Sequence, residues 1–329
     1  MSCKIIKIDY CFIFNNIVIN TIFFPKNEEN TISFMSLITI FTPTYNRRQL
    51  IERLYQSLLL QTQKNFEWLV VDDGSTDDTE NFFEPLLSEQ TPFLIRYIKQ
   101  ENGGKHRAIN NGVKKASGEL FFIVDSDDYL TENAVEKINQ WVKTLDDSHK
   151  WAGIAGLRGK TKNRVLGQHN SSSKYIDAKN NERRKYNLLG DKAEVYFTDV
   201  LKKYPFPEIP GENFISEEIV WNTIARDGYY LRWFNEIIYI CDYLEGGLTK
   251  NNTKDKCNPQ GRLLWAKGQL ETYPNSWRDR FLAIGIYRHA VAEMKSISQT
   301  AKELSVSRVS VFLASNFLSL YTQVFNIIL

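Results

Sequence analysis

From Leu37 onward, short apolar runs take turns with stretches of helical spacing. LITIFT at 37–42 is a compact apolar run ended by Pro43, which predicts a strand. RRQLIERLYQSLLLQ at 47–61 spaces Leu50, Leu54 and Leu58 four apart with Ile51 and Leu59 beside them, an amphipathic helix. FEWLVV at 66–71 predicts a second strand, closed by the turn and capping residues DDGSTDD. A helix through Phe82, Phe83 and Leu86 follows, then a strand at 93–98 (FLIRYI). NGG at 102–104 breaks the chain before a helix through Ala108, Ile109, Val113 and Ala116. A fourth strand at 119–124 is apolar at five consecutive positions, Leu120 to Val124, as burial on both faces requires. Thr131 is placed to cap the next helix.

Such alternation implies an α/β fold with a mostly parallel sheet wrapped by helices. In open sheets of this kind, ligands bind outside the carboxyl ends of the strands. PTYN, DDGS and DSDD all fall at such ends, so three polar clusters far apart in sequence should line one crevice. Past Trp151 the alternation weakens. Residues 158–185 carry nine Lys/Arg against two acidic residues, Asp177 and Glu182, with Gly, Ser and Asn between, which predicts an exposed loop or hairpin. A helix at 215–226, strands at 229–234 and 236–243, and helices from about Pro259 complete the pattern.

The two ends read differently. YCFIFNNIVINTIFF is apolar but broken by Asn15, Asn16 and Asn20, and it falls short of the roughly 18–20 apolar residues a membrane span needs. Met35 stands just before the first strand, so residues 1–34 either precede the natural start or form an extra strand or arm. VSVFLASNFLSLYTQVFNIIL, with Ser310, Ser315, Asn316, Thr322 and Gln323 among its apolar positions, predicts an amphipathic helix. Packing on the domain is the favoured role, and lying on a membrane surface the other. The expected organisation is an extension over 1–35, a catalytic domain over 36–250 and a helical region over 251–329.

Composition adds little. A chain of 329 residues with 43% hydrophobic and 24% charged residues has ample material for a core, and a net charge of +2 gives no argument for nucleic-acid binding. Cys3, Cys11, Cys241 and Cys257 form no C-x-x-C pair, which argues against a disulfide or zinc framework.

The chemistry concentrates in four places. GELFFIVDSDDYLT puts Asp125, Asp127 and Asp128 within four positions beside the core, where like charges and burial oppose ionisation. In an extended segment Asp125 and Asp127 point to one side, and two such carboxylates make a hard oxygen site suited to Mg²⁺ or Mn²⁺. The competing reading is a polar turn that caps the next helix. Asp72 and Asp73, at the end of the second strand, could accept hydrogen bonds from a ribose hydroxyl or a base N–H, or could simply build the turn. Tyr45 in TPTYNR could stack on a base. NGGKHRAIN offers Gly103 and Gly104 for close backbone approach, Lys105 and Arg107 for charge, and a helix start that favours anions. In GENFISEEIVWNTIARDG, Glu217 and Trp221 are one helical turn apart, and a Glu at a helix start over a cleft could serve as general base. Acidic residues also favour any first turn, by about 0.3–1 kcal/mol.

Taken together, ITIFTPTYNR, FEWLVVDDGSTDDT, NGGKHRAINNGVKKASGEL and FFIVDSDDYLT resemble family 2 glycosyltransferases of the GT-A fold, over residues 36–249 or about two thirds of the chain. The resemblance implies a nucleotide-diphosphate-sugar donor, with UDP the preferred nucleotide, and inversion at the anomeric carbon. It places the family's D-x-D motif on Asp125, Ser126 and Asp127, with Asp127 the firmest metal ligand, and its nucleoside contacts on Pro43, Tyr45 and Asp73. Its glycine-containing loop falls on 102–110, including Asn102, Gly104 and Lys105. The family's base usually lies in a Glu-Asp pair with a Trp four residues after the Asp. Counting back from Trp221 puts Ser216 and Glu217 on that pair, so this chain departs from the pattern, with Glu217 the preferred base and Glu218 its understudy.

A metal at Asp125 and Asp127 would stabilise the departing nucleoside diphosphate, while a carboxylate opposite takes the acceptor proton. Family members commonly build polysaccharide of the bacterial envelope on glycan or lipid-linked acceptors, which implies a cytoplasmic protein in peripheral contact with the inner face of the membrane. Two rivals stand beside this reading. One is a sugar-nucleotide pyrophosphorylase, although TPTYNRRQ lacks the Gly-rich, Arg-containing loop by which those enzymes resemble one another. The other is a non-catalytic binder of nucleotide sugars.

Overall fold

The computed structural model describes residues 38–170, 172–241 and 258–325, with side chains through Leu318. Strands β1 (Ile38–Thr44), β2 (Phe66–Asp72), β3 (Leu94–Lys99) and β4 (Leu120–Ile123) pair in parallel in the order β3-β2-β1-β4. Helices α1 (Arg48–Leu59), α2 (Thr79–Ser88) and α3 (Lys105–Lys115) connect them. Every residue of β1, β2 and β4 is buried, which is why these strands read as unbroken apolar runs. Pro43 sits inside β1 rather than ending it, in register with Val71.

Beyond β4 the sheet turns mixed. It continues through β9 (Lys192–Phe197), β6 (Trp151–Thr161), β10 (Tyr230–Ile240) and β5 (Tyr129–Leu130), with β7 (Arg164–Val165) on β6 and β8 (Tyr175–Ala178) on β10. Of these pairings only β6 with β10 is parallel. The parallel arrangement read from the alternation thus holds for the first four strands. Strand β6 escaped the sequence pattern because it is built on small residues. A Cβ on its Gly156 would lie 2.8 Å from Ile238 and 3.0 Å from Trp141, so close packing replaces side-chain alternation there. The basic stretch is part hairpin, β6 into β7, but Tyr175–Ala178 is a sheet strand.

Two further expectations are corrected. Segments 229–234 and 236–243 are not two strands. The described part is one, β10, whose register against β6 shifts between Trp233 and Ile237 and so absorbs Asn235 and Glu236. Nor does Thr131 cap α4 (Ala134–Val142): its N–H is bound to the Ile238 carbonyl and its carbonyl to Gln61, and its hydroxyl donates to Asn133 at 3.1 Å.

Helices α1, α2 and α4 cover one face of the sheet through Leu54, Leu58, Phe83 and Trp141. Helices α3, α5 (Thr198–Lys203) and α6 (Glu217–Arg226) cover the other through Ile109, Leu201, Trp221 and Ile224. Helices α7 (Pro259–Thr272), α8 (Trp277–Ala290), α9 (Ile297–Leu304) and α10 (Arg308–Phe325) share a third core around Ile284, Tyr287 and Val311. α10 buries Val311, Ala314 and Leu318 and leaves Val309, Phe312 and Leu313 exposed, so its apolar stripe packs on its neighbours as expected. No helix among the described residues is long and apolar enough to cross a membrane. Cys241 is a free thiol; the other three cysteines, and the arm or strand read over residues 1–34, lie outside the described residues.

Candidate active site

The parallel half of the sheet brings the tips of β1, β2 and β4 to one edge. Asn46, in a left-handed conformation at φ 50°, staples the first two tips together: its N–H donates to Ser75 Oγ at 2.9 Å and its side-chain oxygen accepts from Thr76 N at 2.8 Å. Tyr45 beside it is about half exposed, the posture of a ring free to stack on a ligand.

The two aspartates at the end of β2, Asp72 within it and Asp73 just after it, are fully engaged. Asp72 accepts from Ser75 N and from the Tyr97 hydroxyl and is wholly buried. Asp73 accepts from Gly103 N (2.9 Å), Gly104 N (2.7 Å), Gln100 Nε2 (2.7 Å) and Asn102 Nδ2 (3.3 Å). It therefore clamps the glycine loop that opens α3. Gly104 is obligatory in that loop, because its φ is +95° and a Cβ there would lie 1.9 Å from the Asn213 carbonyl oxygen. Arg107, read from sequence as loop charge, is anchored instead on the carbonyls of Gly103, Ile209 and Glu212.

The acidic tip is a turn, closed by Asp128 N donating to the Asp125 carbonyl at 3.1 Å, so the extended geometry expected for Asp125 and Asp127 does not hold. Their carboxylates meet different cations. Asp125 pairs with Lys105 at 2.6 Å and lies 3.9 Å from Arg158, whereas Asp127 pairs with Arg47 at 2.8 Å. Burial would push the Asp125 carboxyl up, but Lys105, Arg158 and Arg47 together hold it below the ordinary range. Asp128, which accepts from Tyr239 at 2.8 Å, is pushed up to about 6 by burial and by Asp125. Ser126 is buried within the turn. Protein cations thus offset part of the negative charge of this turn. Arg47, Arg158 and Tyr239 were missed: Arg47 sat within the TPTYNR motif, but nothing in sequence ties Arg158 or Tyr239 to this tip.

Across the cleft, Glu217 opens α6. Lys105 Nζ bridges it (2.8 Å) to Asp125, drawing the glycine loop, the acidic turn and α6 onto one ammonium group. Glu218 faces elsewhere, accepting from Trp265 Nε1 of α7 at 2.8 Å. Trp221, one turn along, stacks on Tyr196 of β9 at 4.4 Å and fixes the helix against the sheet.

Asp125 and Asp127 suit a hard divalent cation in kind, as carboxylates about a quarter exposed at the cleft. Among the described residues no group of three or more His, Cys, Asp or Glu converges as a metal site, so an ion here would need further oxygens from a ligand.

The sequence profile described as Glycosyl transferase family 2 matches residues 39–204, half of the chain. The chain belongs to glycosyl transferase family 2. It is 37% identical over 111 residues to glycosyltransferase GlyG of Streptococcus pneumoniae serotype 4, covering 33% of this chain and 36% of that protein. It is 36% identical over 111 residues to a chondroitin synthase of Escherichia coli, covering 34% and 16%. The matches therefore span about a third or less of these relatives. Among solved structures, S. aureus TarS 1–349 in complex with UDP-GlcNAc superposes with a TM-score of 0.58 at 19% identity, over 83% of this chain and 90% of that one. The family 2 fold here is GT-A, as the motif order implied.

Proposed function

We propose that this family 2 member transfers a sugar, with inversion, from a nucleotide-diphosphate donor to a hydroxyl of a glycan or lipid-linked acceptor in envelope polysaccharide synthesis. The observation that carries the reading is the placement of Glu217 opposite the Asp125–Asp127 turn, with Tyr45 and the Asp73-clamped loop at the same strand ends. Relatives that are named glycosyltransferases, and the UDP-GlcNAc complex of TarS, support a nucleotide-sugar donor, with UDP preferred.

In this reading Tyr45 stacks on the base and the rigid glycine loop lines the diphosphate. Asp73 acts by holding that loop, and Pro43, Asp72, Asn102 and Ser126 act through the backbone they fix. Asp125 and Asp127 would hold Mn²⁺ or Mg²⁺, which supplies Lewis-acid stabilisation of the leaving diphosphate. Glu217 takes the proton of the attacking hydroxyl, held in place by Lys105. Glu218, spent on Trp265, positions α6 against α7. The catalytic unit is the sheet with α1–α6, the helical layer buttresses it, and contact with the inner membrane face is peripheral.

Release of nucleoside diphosphate from UDP-sugars with Mn²⁺ tests the assignment. Glu217→Gln should lower turnover about 10²–10⁴-fold with donor KM little changed, Glu218→Gln far less, and Asp127→Asn should abolish release. A severe loss at Glu218 with Glu217→Gln active would exchange their roles. Wild-type turnover in Asp127→Asn would remove the metal assignment. The pyrophosphorylase reading does not survive the family membership, and a non-catalytic binder would bind donor without releasing diphosphate.

A further inference from the structure

One hydroxyl holds the acidic turn from behind. Tyr239, in β10 and without exposed surface, directs its phenol at both ends of the turn. The phenol oxygen accepts from the Asp125 N–H at 3.0 Å, and its proton goes to Asp128 Oδ2 at 2.8 Å. With the Asp128 N–H on the Asp125 carbonyl at 3.1 Å, the hydroxyl closes a ring of hydrogen bonds through residues 125 and 128. The ring of Tyr239 is fixed in turn. It meets Phe122 of β4 edge-on at 6.1 Å, Arg158 lies 4.2 Å over its face, and its backbone is in register with Leu130 of β5, just past the turn. From the other side, Arg53 of α1 donates to the Asp127 carbonyl.

The three carboxylates of this turn therefore divide. Asp125 and Asp127 face Lys105, Arg158 and Arg47 and stay about a quarter exposed. Asp128 is 7% exposed and takes the proton of a buried phenol, so it faces the core. Burial penalises a carboxylate, and an apolar pair at 128 and 239 would fill that space without the penalty. What the polar pair does instead is fix the Asp125 amide, and with it the direction in which the two exposed carboxylates leave the turn.

We propose that Tyr239 and Asp128 are positioning residues for the divalent-cation site. The phenol clasps the turn so that Asp125 and Asp127 present their oxygens in a fixed relation, while Asp128 holds the phenol and ligates nothing. The clasp rests on the reading of Asp125 and Asp127 as the metal-holding pair above. Carboxylates already ordered bind a cation more tightly than carboxylates that must be ordered at the moment of binding.

The test uses the full chain with Mn²⁺ itself as the probe. Free Mn²⁺ is read by its electron paramagnetic resonance signal in the presence of UDP or GDP, and nucleoside diphosphate release from UDP- and GDP-sugars is followed separately. Tyr239→Phe keeps the ring and should raise the Mn²⁺ Kd about tenfold, with nucleotide affinity in the absence of metal moving less than about twofold. Asp128→Asn keeps an oxygen for the phenol and should stay within about threefold of the wild type, whereas Asp128→Ala should approach the tenfold rise. Adding Asp128→Ala to Tyr239→Phe should raise the Kd no further, because the bond is already broken. A purely structural hydroxyl would lower the melting temperature and leave the Mn²⁺ Kd unmoved, and that result overturns the clasp. Equal losses in Asp128→Asn and Asp128→Ala, or losses that multiply in the double variant, would make Asp128 a ligand in its own right and overturn it as well. A wild type that releases diphosphate without binding Mn²⁺ overturns the clasp and leaves the transferase reading standing. A wild type that binds Mn²⁺ yet releases nothing from any donor removes the transferase reading alone, since the titration still decides the clasp.

Discussion

His106 gives the sharpest physical test of the loop that opens α3. It lies between Lys105 and Arg107 in the first turn of that helix, 2% exposed, and both ring nitrogens lack a hydrogen-bond partner among the described residues. Burial pushes its pKa down from 6.5 to about 4, with Arg107 pushing the same way and Glu208 and Asp73 opposing. The imidazole is therefore neutral in the folded protein at pH 7. Between the two pKa values the unfolded chain binds more protons than the folded one, so stability falls as pH drops below about 6.5 and the loss levels off below about 4. At about 1.4 kcal/mol per unit, the loss from this one residue between pH 7 and pH 4.5 comes to about 2–3 kcal/mol. His106→Leu nearly conserves volume, removes both orphan nitrogens and keeps a good helix former. It should match or exceed the wild type at pH 7. In urea unfolding at pH 7 and pH 4.5, the wild type should lose about 2–3 kcal/mol more than the variant, since both chains share every carboxylate that titrates in that interval. Equal losses in the two proteins, or an NMR titration of the His106 ring near 6.5, would refute the reasoning.

Two substitutions test the scaffold. Gly104→Ala must place a methyl 1.9 Å from the Asn213 carbonyl oxygen at φ +95°, whereas Gly211→Ala meets only the strain of φ +79° with nothing within 4 Å. Urea unfolding should show about 1–2 kcal/mol lost at Gly211 and clearly more at Gly104; equal losses would mean that the loop does not dock as described. Asp177→Ala removes the anion and two bonds of 2.7 and 2.8 Å from the buried Arg232 guanidinium, leaving it the Thr144 carbonyl, and should cost about 2–4 kcal/mol. Arg232→Met combined with Asp177→Ala should recover much of that loss, and a double variant no better than the single would refute the assignment.

The parallel half of the fold was legible because its strands are buried on both faces, which leaves an uninterrupted apolar signature, and because Gly and Asp mark their ends. The mixed half was not. Strand β6 trades side-chain alternation for glycines that let Ile238 and Trp141 close in, and β10 hides one continuous strand behind the polar pair Asn235 and Glu236. Strand β9 begins with Lys192, a residue that ordinarily marks a surface, yet it is buried with its ammonium group on a loop carbonyl. In each case a tertiary neighbour outweighed the local preference that sequence reading relies on.

The candidate site divides along the same line. Spacing located every carboxylate of the acidic turn, because a strand that ends in Asp-Ser-Asp-Asp announces itself. Spacing could not say what balances them, since their partners come from α1, α3 and β6: Arg47 caps the first, Lys105 opens the second and Arg158 lies in the third. The spacing to Trp221 favoured Glu217 over Glu218, but it could not show how the two differ, since adjacent acids in one first turn have equal claims on the macrodipole. What separates them is packing. Consecutive helical residues point about 100° apart. Once Trp221 seats α6 on Tyr196, one of the pair must face Lys105 and the other Trp265 on α7. Under the proposed assignment, the helical layer that follows the matched family segment would take part in selecting the base, by occupying Glu218 through Trp265.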